Sequence, residues 1–413
     1  MRRAAALILT CIWATVFAIS GVMAFELVSP YSNDAGYVLL RGQLHCHTES
    51  VFFDRTIDVK TLAQKYKDRG FYFVALTDHN KCTVGSDDDW SGLVPVNNSE
   101  EITYKISNLL ALGMTCTDPI KLVGKDDPEA SRDTIAGQLS GMISAVHERG
   151  GLVVVAHPDG VDRGEHMFEW EITPGTRRDA VGLLLQQWKN GNTDASDYDF
   201  SKKKAPDAIA IYNAAWVVRG SGSTFMHYWD EMLGKGYRIW GIAEDDFHAQ
   251  SRKFGVGILS FTAGSAWVAV PAEPEIPWSD GQETWNPATD TLTGNTLKAN
   301  IYNGNFYCYW VTTPTKPDNY WSKDLGDPPS IKVSIEPGNR IVVSVRSRDA
   351  QLCKVESVEF RGRNGAVLRL VKNTADAVYD CKGSEGYVRV EIYKPLSGFR
   401  ELHIASQPIF IRQ

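Results

Sequence analysis

Several common signatures of catalysis and binding are missing from this chain of 413 residues. It has no phosphate-binding P-loop, no Gly-rich dinucleotide fingerprint, no Gly-x-Ser-x-Gly nucleophile elbow and no internal repeat. It also lacks a concentrated basic stripe, since 43 Lys and Arg stand against 50 Asp and Glu for a net charge of −7. These absences argue against the enzyme classes that those motifs define and against a nucleic-acid surface.

Long apolar runs are absent too, except at the start of the chain. Met1-Arg2-Arg3 is followed by apolar residues from Ala4 to about Ile19 and by small residues up to Ala24. This pattern predicts a secretory signal peptide over residues 1–24, and the alternative is an uncleaved anchor, because the run is close to the minimum spanning length. We expect a secreted, periplasmic or extracellular protein with no membrane span after cleavage and a mature net charge of about −9.

The seven cysteines are few for a chain of this length. Six would remain after cleavage, and some of them should pair in an oxidising compartment. We expect a bond between Cys353 and Cys381, because both fall in a strand-rich region, and a second between Cys82 and Cys116. Cys46 is expected to be a buried apolar side chain.

Imidazole and carboxylate side chains follow four short apolar, strand-like runs. Because the carboxyl ends of parallel strands meet at one edge of a sheet or barrel, these side chains are expected to converge on a metal site. Nitrogen and oxygen donors without thiolate suit zinc, manganese or iron and are typical of hydrolytic centres. The side chains are His45 and His47, Asp78 and His79, His157 and Asp159, and Asp246 and His248.

In order and spacing these segments resemble the PHP (polymerase and histidinol phosphatase) superfamily over about residues 37–270. The resemblance implies a distorted (β/α)7 barrel that holds two or three divalent metal ions, manganese, zinc or iron, and hydrolyses phosphoesters with metal-activated water. The matching motifs are His45-x-His47, Thr77-Asp78-His79-Asn80, a strand end at Glu101, Ala156-His157-Pro158 and Asp246-Phe247-His248.

The resemblance also implies roles for individual residues. Glu101 would bridge a first and a second metal, and Asp78 would orient a ligand or contact the substrate. Independently of the resemblance, Arg163, beyond the His157 strand, and Arg252 with Lys253, beyond His248, are candidates to hold phosphate oxygens, and solvated loop charges are the alternative. The implied metal ligands are His45, His47, Glu101 and Asp246 for the first metal, Glu101 and His157 for the second, and His79, His248 and Asp54 for the third.

Some positions keep alternatives. Glu49 could serve in place of Asp54, and Glu100 differs from Glu101 by one register, which would turn its side chain to the other face of a strand. Asn108 stands where relatives often have His, so the second metal would be weakly held or completed by water. Asp159 and Asp245 are adjacent alternatives to the motif residues, and Asn213 could face the pocket.

The order of predicted elements suggests two domains after the leader. Strands alternate with helices, such as 59–69 and 131–149, over a barrel domain at residues 25–270. Residues 271–330 read as a linker with a flanking helix and strand. Residues 331–413 read as a small β-sandwich with a hairpin turn at Asn364-Gly365.

The predicted function is therefore that of a secreted, metal-dependent phosphoesterase acting on a small-molecule or glycan-linked phosphoester. Two alternatives remain from the sequence. The same metals could hydrolyse an amide, a lactone or a carboxylic ester, or the chain could be a non-catalytic protein that binds glycan or a partner on a degenerate scaffold.

Overall fold

The structure is a computed structural model that describes most of the chain after residue 24. The predicted signal peptide lies outside the described residues, and so do Glu49, Asp54, Cys116, Asp159 and Arg163. The described ranges are 25–32, 38–48, 56–104, 107–115, 117–121, 132–158, 205–215, 224–248, 252–254, 257–259, 263–272, 294–312, 327–396 and 400–413.

Within these ranges the α-helices are α1 Val59–Lys67, α2 Arg132–Glu148, α3 Met226–Gly234, α4 Gly294–Asn303 and α5 Ala350–Cys353. The strands there are β1 Glu26–Val28, β2 Leu39–Gln43, β3 Phe73–Val74, β4 Val94–Pro95, β5 Glu100–Tyr104, β6 Ser107–Leu112, β7 Leu152–Ala156, β8 Ala208–Asn213, β9 Trp240–Glu244, β10 Arg252–Phe254, β11 Gly257–Leu259, β12 Ala266–Pro271, β13 Tyr307–Thr312, β14 Ser330–Glu336, β15 Arg340–Arg346, β16 Val355–Arg361, β17 Val367–Thr374, β18 Asp376–Asp380, β19 Tyr387–Pro395, β20 Glu401–Ser406 and β21 Ile409–Arg412.

The first helix illustrates how local sequence sets these boundaries. Asp58 caps α1, because its carboxylate accepts a hydrogen bond from the Thr61 backbone N–H at 2.7 Å. Leu62 and Tyr66 lie one helical turn apart and are buried, while Lys65 and Lys67 stand in the last turn, where cations complement the helix dipole. The predicted helix 59–69 is thus confirmed to within two residues at its end.

Five strands form a mixed sheet in the order β5-β6-β7-β8-β9. The pairs β5-β6 and β6-β7 are antiparallel, whereas β7-β8 and β8-β9 are parallel. Every residue of β7 and β8 is buried, as expected for strands covered on both faces. The described residues form a mixed α/β protein that is rich in sheet and has few helices, and they do not by themselves define the expected seven-unit barrel.

Two isolated bridges connect the ends of this sheet to the neighbouring sheet. His79, which follows β3, forms a parallel bridge with Glu101 of β5. Cys46, which follows β2, forms a parallel bridge with Phe247, which follows β9. Backbone hydrogen bonds accompany them, from Glu101 N to Asp78 O at 3.1 Å and from His47 N to Phe247 O at 2.9 Å. The strand ends that carry the motif residues are therefore tied together directly.

The second sheet is the larger one and has 11 strands. Its main path runs β1-β21-β19-β20-β13-β12-β2-β3-β4, with β16 and β17 branching from β19. Strands from the start, the middle and the end of the chain thus share one sheet. Strand β13 lies inside the stretch 271–330, which the sequence predicts to be a linker with a flanking helix and strand.

The C-terminal strands form two facing layers. The three-stranded sheet β14-β15-β18 shares a buried core with β16, β19 and β20 of the large sheet. Val333 and Val343 from one layer and Val358, Val390 and Ile404 from the other belong to this core.

The predicted hairpin turn between β16 and β17 is confirmed. Asn364 has φ of 58° and Gly365 has φ of 73°. Positive φ at both central residues is what a two-residue turn of this kind needs, and Asn-Gly supplies it at little cost.

The expected bond between Cys353 and Cys381 is wrong, since both are free thiols. The Cys353 thiol lies 3.3 Å from the Ser347 carbonyl, just past the end of β15, whereas Cys381 N donates to Asn339 O at the beginning of that strand. The seven residues of β15 span about 20 Å, and a disulfide requires Cα atoms within about 7 Å. Cys82 cannot be assessed with Cys116, which is not described.

Within the described part of the chain, no helix has the length and apolar character required to cross a bilayer.

Candidate metal centre

Five strand ends deliver the candidate ligands to one place. His45 and His47 follow β2, His79 follows β3 and Glu101 lies in β5. His157 follows β7, and Asp246 and His248 follow β9. All are buried except His79, which is partly exposed.

The centre of the site is a four-ligand cluster of His45, His47, Glu101 and Asp246. His45 Nε2 lies 3.1 Å from His47 Nε2, 3.3 Å from Glu101 Oε2 and 3.4 Å from Asp246 Oδ1. His47 Nε2 lies 3.2 Å and 3.3 Å from the same two oxygens. One donor atom from each of the four residues lies within 4.8 Å of the other three.

These distances fit a divalent ion. A regular tetrahedron with such edges has its centre about 2.0 Å from every corner, the distance at which zinc binds imidazole nitrogen and carboxylate oxygen. The donor set of two imidazoles and two carboxylates also suits manganese or iron. The four-ligand cluster therefore has the donor types and, for five of its six donor–donor distances, the spacing that suit a divalent ion.

Glu101 also reaches a second position through its other oxygen. Its Oε1 lies 3.1 Å from His157 Nε2, while Asp246 Oδ2 lies 4.0 Å from the same nitrogen. Asn108 donates a hydrogen bond from its Nδ2 to Glu101 Oε1 at 2.6 Å. This second position has fewer donors than the first, and one of its oxygens also accepts a hydrogen bond from an amide.

A three-histidine group lies on the other side of His47. The ring of His47 stacks on those of His248 and His79, with centroids 4.2 Å and 4.5 Å apart. A nitrogen from each of the three rings falls within 4.8 Å of the others. His79 Nδ1 also lies 2.7 Å from Thr103 Oγ1 and 3.2 Å from Glu101 Oε2.

The electrostatic surroundings raise the pKa of some histidines of the site and lower that of others. Burial lowers the pKa of His47, but the carboxylates of Asp246 and Glu101 outweigh it and raise that pKa to about 9. Burial would also lower the pKa of His45, but the nearby carboxylates outweigh burial and raise that pKa well above its ordinary value. Burial lowers the pKa of His79 to about 4, and burial with the charge of His47 lowers that of His248 to about 3.

The two carboxylates respond in the opposite sense. Burial raises the pKa of Glu101 and of Asp246, but the surrounding imidazolium groups outweigh it and hold both well below the ordinary range. The site thus concentrates negative charge that needs compensation by protons or by cations. Binding of metal ions there would release protons from the imidazoles.

Two of the site residues have unusual backbone conformations. His157 has φ of 24° and Asp246 has φ of 51°. Residues other than Gly seldom adopt positive φ, and such strain concentrates at functional sites. At β7 and β9 the chain therefore turns sharply where it presents its ligand to the cluster.

The register of β5 separates its two glutamates. The carboxylate of Glu101 faces the cluster, whereas Glu100 points to the other face and accepts a hydrogen bond from Ile120 N at 2.6 Å. Both side chains are fully buried.

Two further aspartates support the backbone around the site. Asp78 accepts hydrogen bonds from Thr48 N at 2.7 Å, from the Thr48 hydroxyl and from the Thr83 hydroxyl, so its carboxylate holds the chain just after His47. Burial alone would raise the pKa of Asp78, but these hydrogen bonds outweigh burial and lower that pKa.

The neighbouring Asp245 points away from the cluster. It accepts the backbone N–H groups of Gly264, Ser265 and Ala266 and the Tyr66 hydroxyl. Burial raises its pKa to about 6. Asp245 thereby fixes the start of β12 rather than a ligand position.

Sequence reasoning missed Glu244, the last residue of β9. It is fully buried, and its Oε2 lies 3.0 Å from His45 Nδ1. Its Oε1 accepts Asn213 Nδ2 at 2.9 Å, and Asn213 in turn lies 3.3 Å from Asp246 Oδ2. The signal in the sequence was that Glu244 begins a run of three acidic residues shortly before His248.

Three residues with predicted roles cannot be located in the site. Asp54 and Arg163 lie outside the described residues, and only the backbone of Arg252, in β10, is described. Their roles stay predictions.

Comparison with known proteins gives structural likenesses only. No protein-family model matches the chain, and no curated protein matches it. A two-domain protein from Bacteroides vulgatus containing a predicted PHP-like metal-dependent phosphoesterase is similar with a TM-score of 0.39 and 11% identity, over 94% of this chain and 91% of that one.

Two other solved structures are similar over about half of this chain. An amidohydrolase from Chromobacterium violaceum, with bound sulfate and no metal, has a TM-score of 0.30 and 15% identity, over 50% of this chain and 87% of its own. A protein described as a metal-dependent phosphoesterase from Bifidobacterium adolescentis has a TM-score of 0.28 and 15% identity, over 53% and 92%.

Proposed function

We propose that this protein is a secreted, metal-dependent hydrolase that acts on phosphoesters. One observation carries the proposal: His45, His47, Glu101 and Asp246 direct four donor atoms to one point at distances that suit a divalent ion. Phosphoesters as the substrate class come from the motif resemblance, and secretion comes from the leader pattern in residues 1–24.

In this proposal two or three divalent ions bind. The four-ligand cluster holds the first, Glu101 Oε1 with His157 contributes to the second, and His79 with His248 contributes to the third, with Asp54 as the proposed carboxylate. Bound metals would supply Lewis-acid polarisation of the phosphoryl oxygens and activation of water.

The other residues of the chain orient these ligands. Asp78 anchors the backbone after His47 through Thr48, which limits movement of that ligand. Asn108 and Asn213 hold the outer oxygens of Glu101 and Asp246, so that the inner oxygens face the imidazoles. Arg163 and Arg252 are proposed to bind non-bridging phosphate oxygens.

We also propose that seven strands, β2, β3 and β5 to β9, close into the distorted barrel that the motif resemblance implies. The two isolated bridges support this, because they join β3 to β5 and β9 to β2 at both ends of the five-stranded sheet. The ligands would then line one rim, as in parallel barrels.

Metal analysis followed by assay tests the proposal. Protein purified without chelator should contain two or three equivalents of zinc, manganese or iron and should hydrolyse generic phosphomonoesters or phosphodiesters. Chelation should abolish the activity, and added manganese or zinc should restore it. Direct attack of water on phosphorus should place oxygen-18 from the solvent in the phosphate product.

A single variant links the activity to the cluster. Asp246→Asn keeps a residue type that tolerates positive φ but removes a charged ligand, and should reduce activity at least about a hundredfold, since even outer partners of metal ligands cost about 10–100-fold. Asp58→Asn, a remote helix cap, should leave activity unchanged. Hydrolysis of carboxylic esters or amides alone would reassign the substrate class, and metal-free, inactive protein would contradict the proposal.

A further inference from the structure

Glu244 contacts three parts of the site although it is not one of the proposed ligands. It ends β9 and has no exposed surface. One of its oxygens faces β7 and β8, and the other faces the segment that follows β2. The carboxylate therefore lies behind the four-ligand cluster rather than within it.

The first oxygen is surrounded by hydrogen-bond donors that cannot act as acceptors instead. Glu244 Oε1 accepts the backbone N–H of His157 at 3.2 Å and Asn213 Nδ2 at 2.9 Å. The backbone N–H has a fixed polarity. The amide of Asn213 is also fixed, because its Oδ1 accepts Ala215 N at 2.9 Å. Only an acceptor satisfies this position.

The second oxygen faces the rear nitrogen of a ligand histidine. Glu244 Oε2 and His45 Nδ1 lie 3.0 Å apart as an ion pair, and within the described part of the chain neither atom makes an aligned hydrogen bond to any group. The front nitrogen of the same ring, Nε2, points into the cluster. A carboxylate that accepts from the rear nitrogen holds an imidazole in the tautomer whose front nitrogen carries a lone pair.

We propose that Glu244 is the positioning residue that keeps the proton of His45 on Nδ1 and so makes Nε2 a metal ligand. Through His157 N it also holds the strained turn at the end of β7. This assignment rests on the proposed metal-dependent function. It requires an acceptor at both oxygens, which a carboxylate provides and an amide cannot.

The isosteric variant Glu244→Gln gives the sharpest test. If its amide oxygen faces His157 and Asn213, its NH2 faces His45 and forces the proton onto Nε2, which blocks the ligand. If the amide is reversed, its NH2 meets two fixed donors. Glu100→Gln is the matched control, because Glu100 is an equally buried glutamate that faces away from the cluster.

The measurements are the zinc dissociation constant, from competition with a chelator, and the tautomer of His45 in zinc-loaded protein, from long-range proton–nitrogen NMR. We expect Glu244→Gln to weaken zinc binding about 10–100-fold, Glu100→Gln to change it less than twofold, and wild-type His45 to carry its proton on Nδ1. The NMR measurement on the wild type decides the matter even if the variant does not fold.

A wild-type proton on Nε2, or zinc binding by Glu244→Gln within twofold of the wild type, overturns the positioning role and leaves the proposed function standing. Wild-type protein that binds no zinc overturns both. Zinc-loaded protein that shows the expected tautomer but hydrolyses no phosphoester overturns the proposed activity alone.

Discussion

The two oxygens of Glu101 have different surroundings. Oε2 lies within 3.3 Å of nitrogens from His45, His47 and His79, whereas Oε1 is shared between His157 and the Asn108 amide. The amide N–H cannot itself bind a cation, and it takes one of the two lone-pair directions of Oε1 where an imidazole would have added a ligand. Asn108 should therefore lower the affinity of the second metal position relative to the first.

Replacing this amide should change the number of metals that stay bound. Asn108→His places an imidazole beside Glu101 Oε1 and His157, and we expect about 10–100-fold tighter binding at the second position. The number of zinc ions per chain after dialysis, measured by mass spectrometry, should rise by one. Asn108→Leu is the control, since it removes the donor and adds no ligand. An equal metal count in all three proteins would contradict this role of Asn108.

At the same scale, the sequence indicated most residues of the candidate site but not the directions in which neighbouring acidic side chains point. Spacing and motif order pointed to Glu101, and strand alternation explains why Glu100 faces elsewhere. Among Glu244, Asp245 and Asp246, however, alternation gives no reliable assignment. The chain leaves β9 with a positive φ at Asp246, and this turn ends the two-residue periodicity. Such a turn depends on tertiary contacts that a sequence does not display.

At the scale of elements, the β16-β17 turn does more than reverse the chain. An added Cβ on Gly365 would lie 2.4 Å from Asp230 Oδ2. Asp230 belongs to α3 and binds Arg389 through two hydrogen bonds, of 2.8 Å and 2.7 Å. The tip of a C-terminal hairpin therefore packs against a buried ion pair that involves α3, a helix of the segment predicted to form the barrel domain.

Two glycine variants should separate these contributions. Gly338 also has a positive φ, of 85°, but an added Cβ there meets no described atom within 4 Å. Gly338→Ala should cost about 1–2 kcal/mol from backbone strain alone, and Gly365→Ala should cost about 1–3 kcal/mol more from overpacking. Urea unfolding of both variants measures the difference. Equal losses would mean that the hairpin tip yields without disturbing Asp230.

Elements with strong periodicity were predicted well. The predicted helices 59–69 and 131–149 correspond to α1 and α2, and the C-terminal segment, predicted to be rich in strands, contains β14 to β21. The antiparallel pairing of β5 with β6 was missed, because Lys105 and Ile106 between them lack the Asn-Gly or Asp-Gly signal of a short hairpin turn.

At the scale of the molecule, the C-terminal strands are attached to the site-bearing half by polar contacts as well as by the shared sheet. Arg389 is fully buried, and its guanidinium lies over the Trp229 ring with 5.1 Å to the centroid. Tyr387 donates to Asp230 at 2.9 Å. Gln407 pairs with both the N–H and the carbonyl of Gly241 in β9 at 2.8 Å.

Breaking the buried ion pair should show how strongly the two halves depend on each other. Asp230→Leu leaves the Arg389 charge buried without this partner and should cost about 3–5 kcal/mol. Asp230→Leu combined with Arg389→Met should cost less than the single change, because no unpaired charge remains. Denaturant unfolding provides the values. A double variant that loses as much as the sum of both single variants would contradict coupling through this pair.

The pairing of the first described strand with the last one has a consequence for the order of folding. Residues Glu26 to Val28 of β1 align with Phe410 to Arg412 of β21, and Gln407 fastens the strand that ends in Glu244. Contacts between such distant segments form slowly, because a long loop must close first. Residues as far as Gln407 must therefore leave the ribosome before β9 gains its final support. We expect nascent chains to bind metal only after that point.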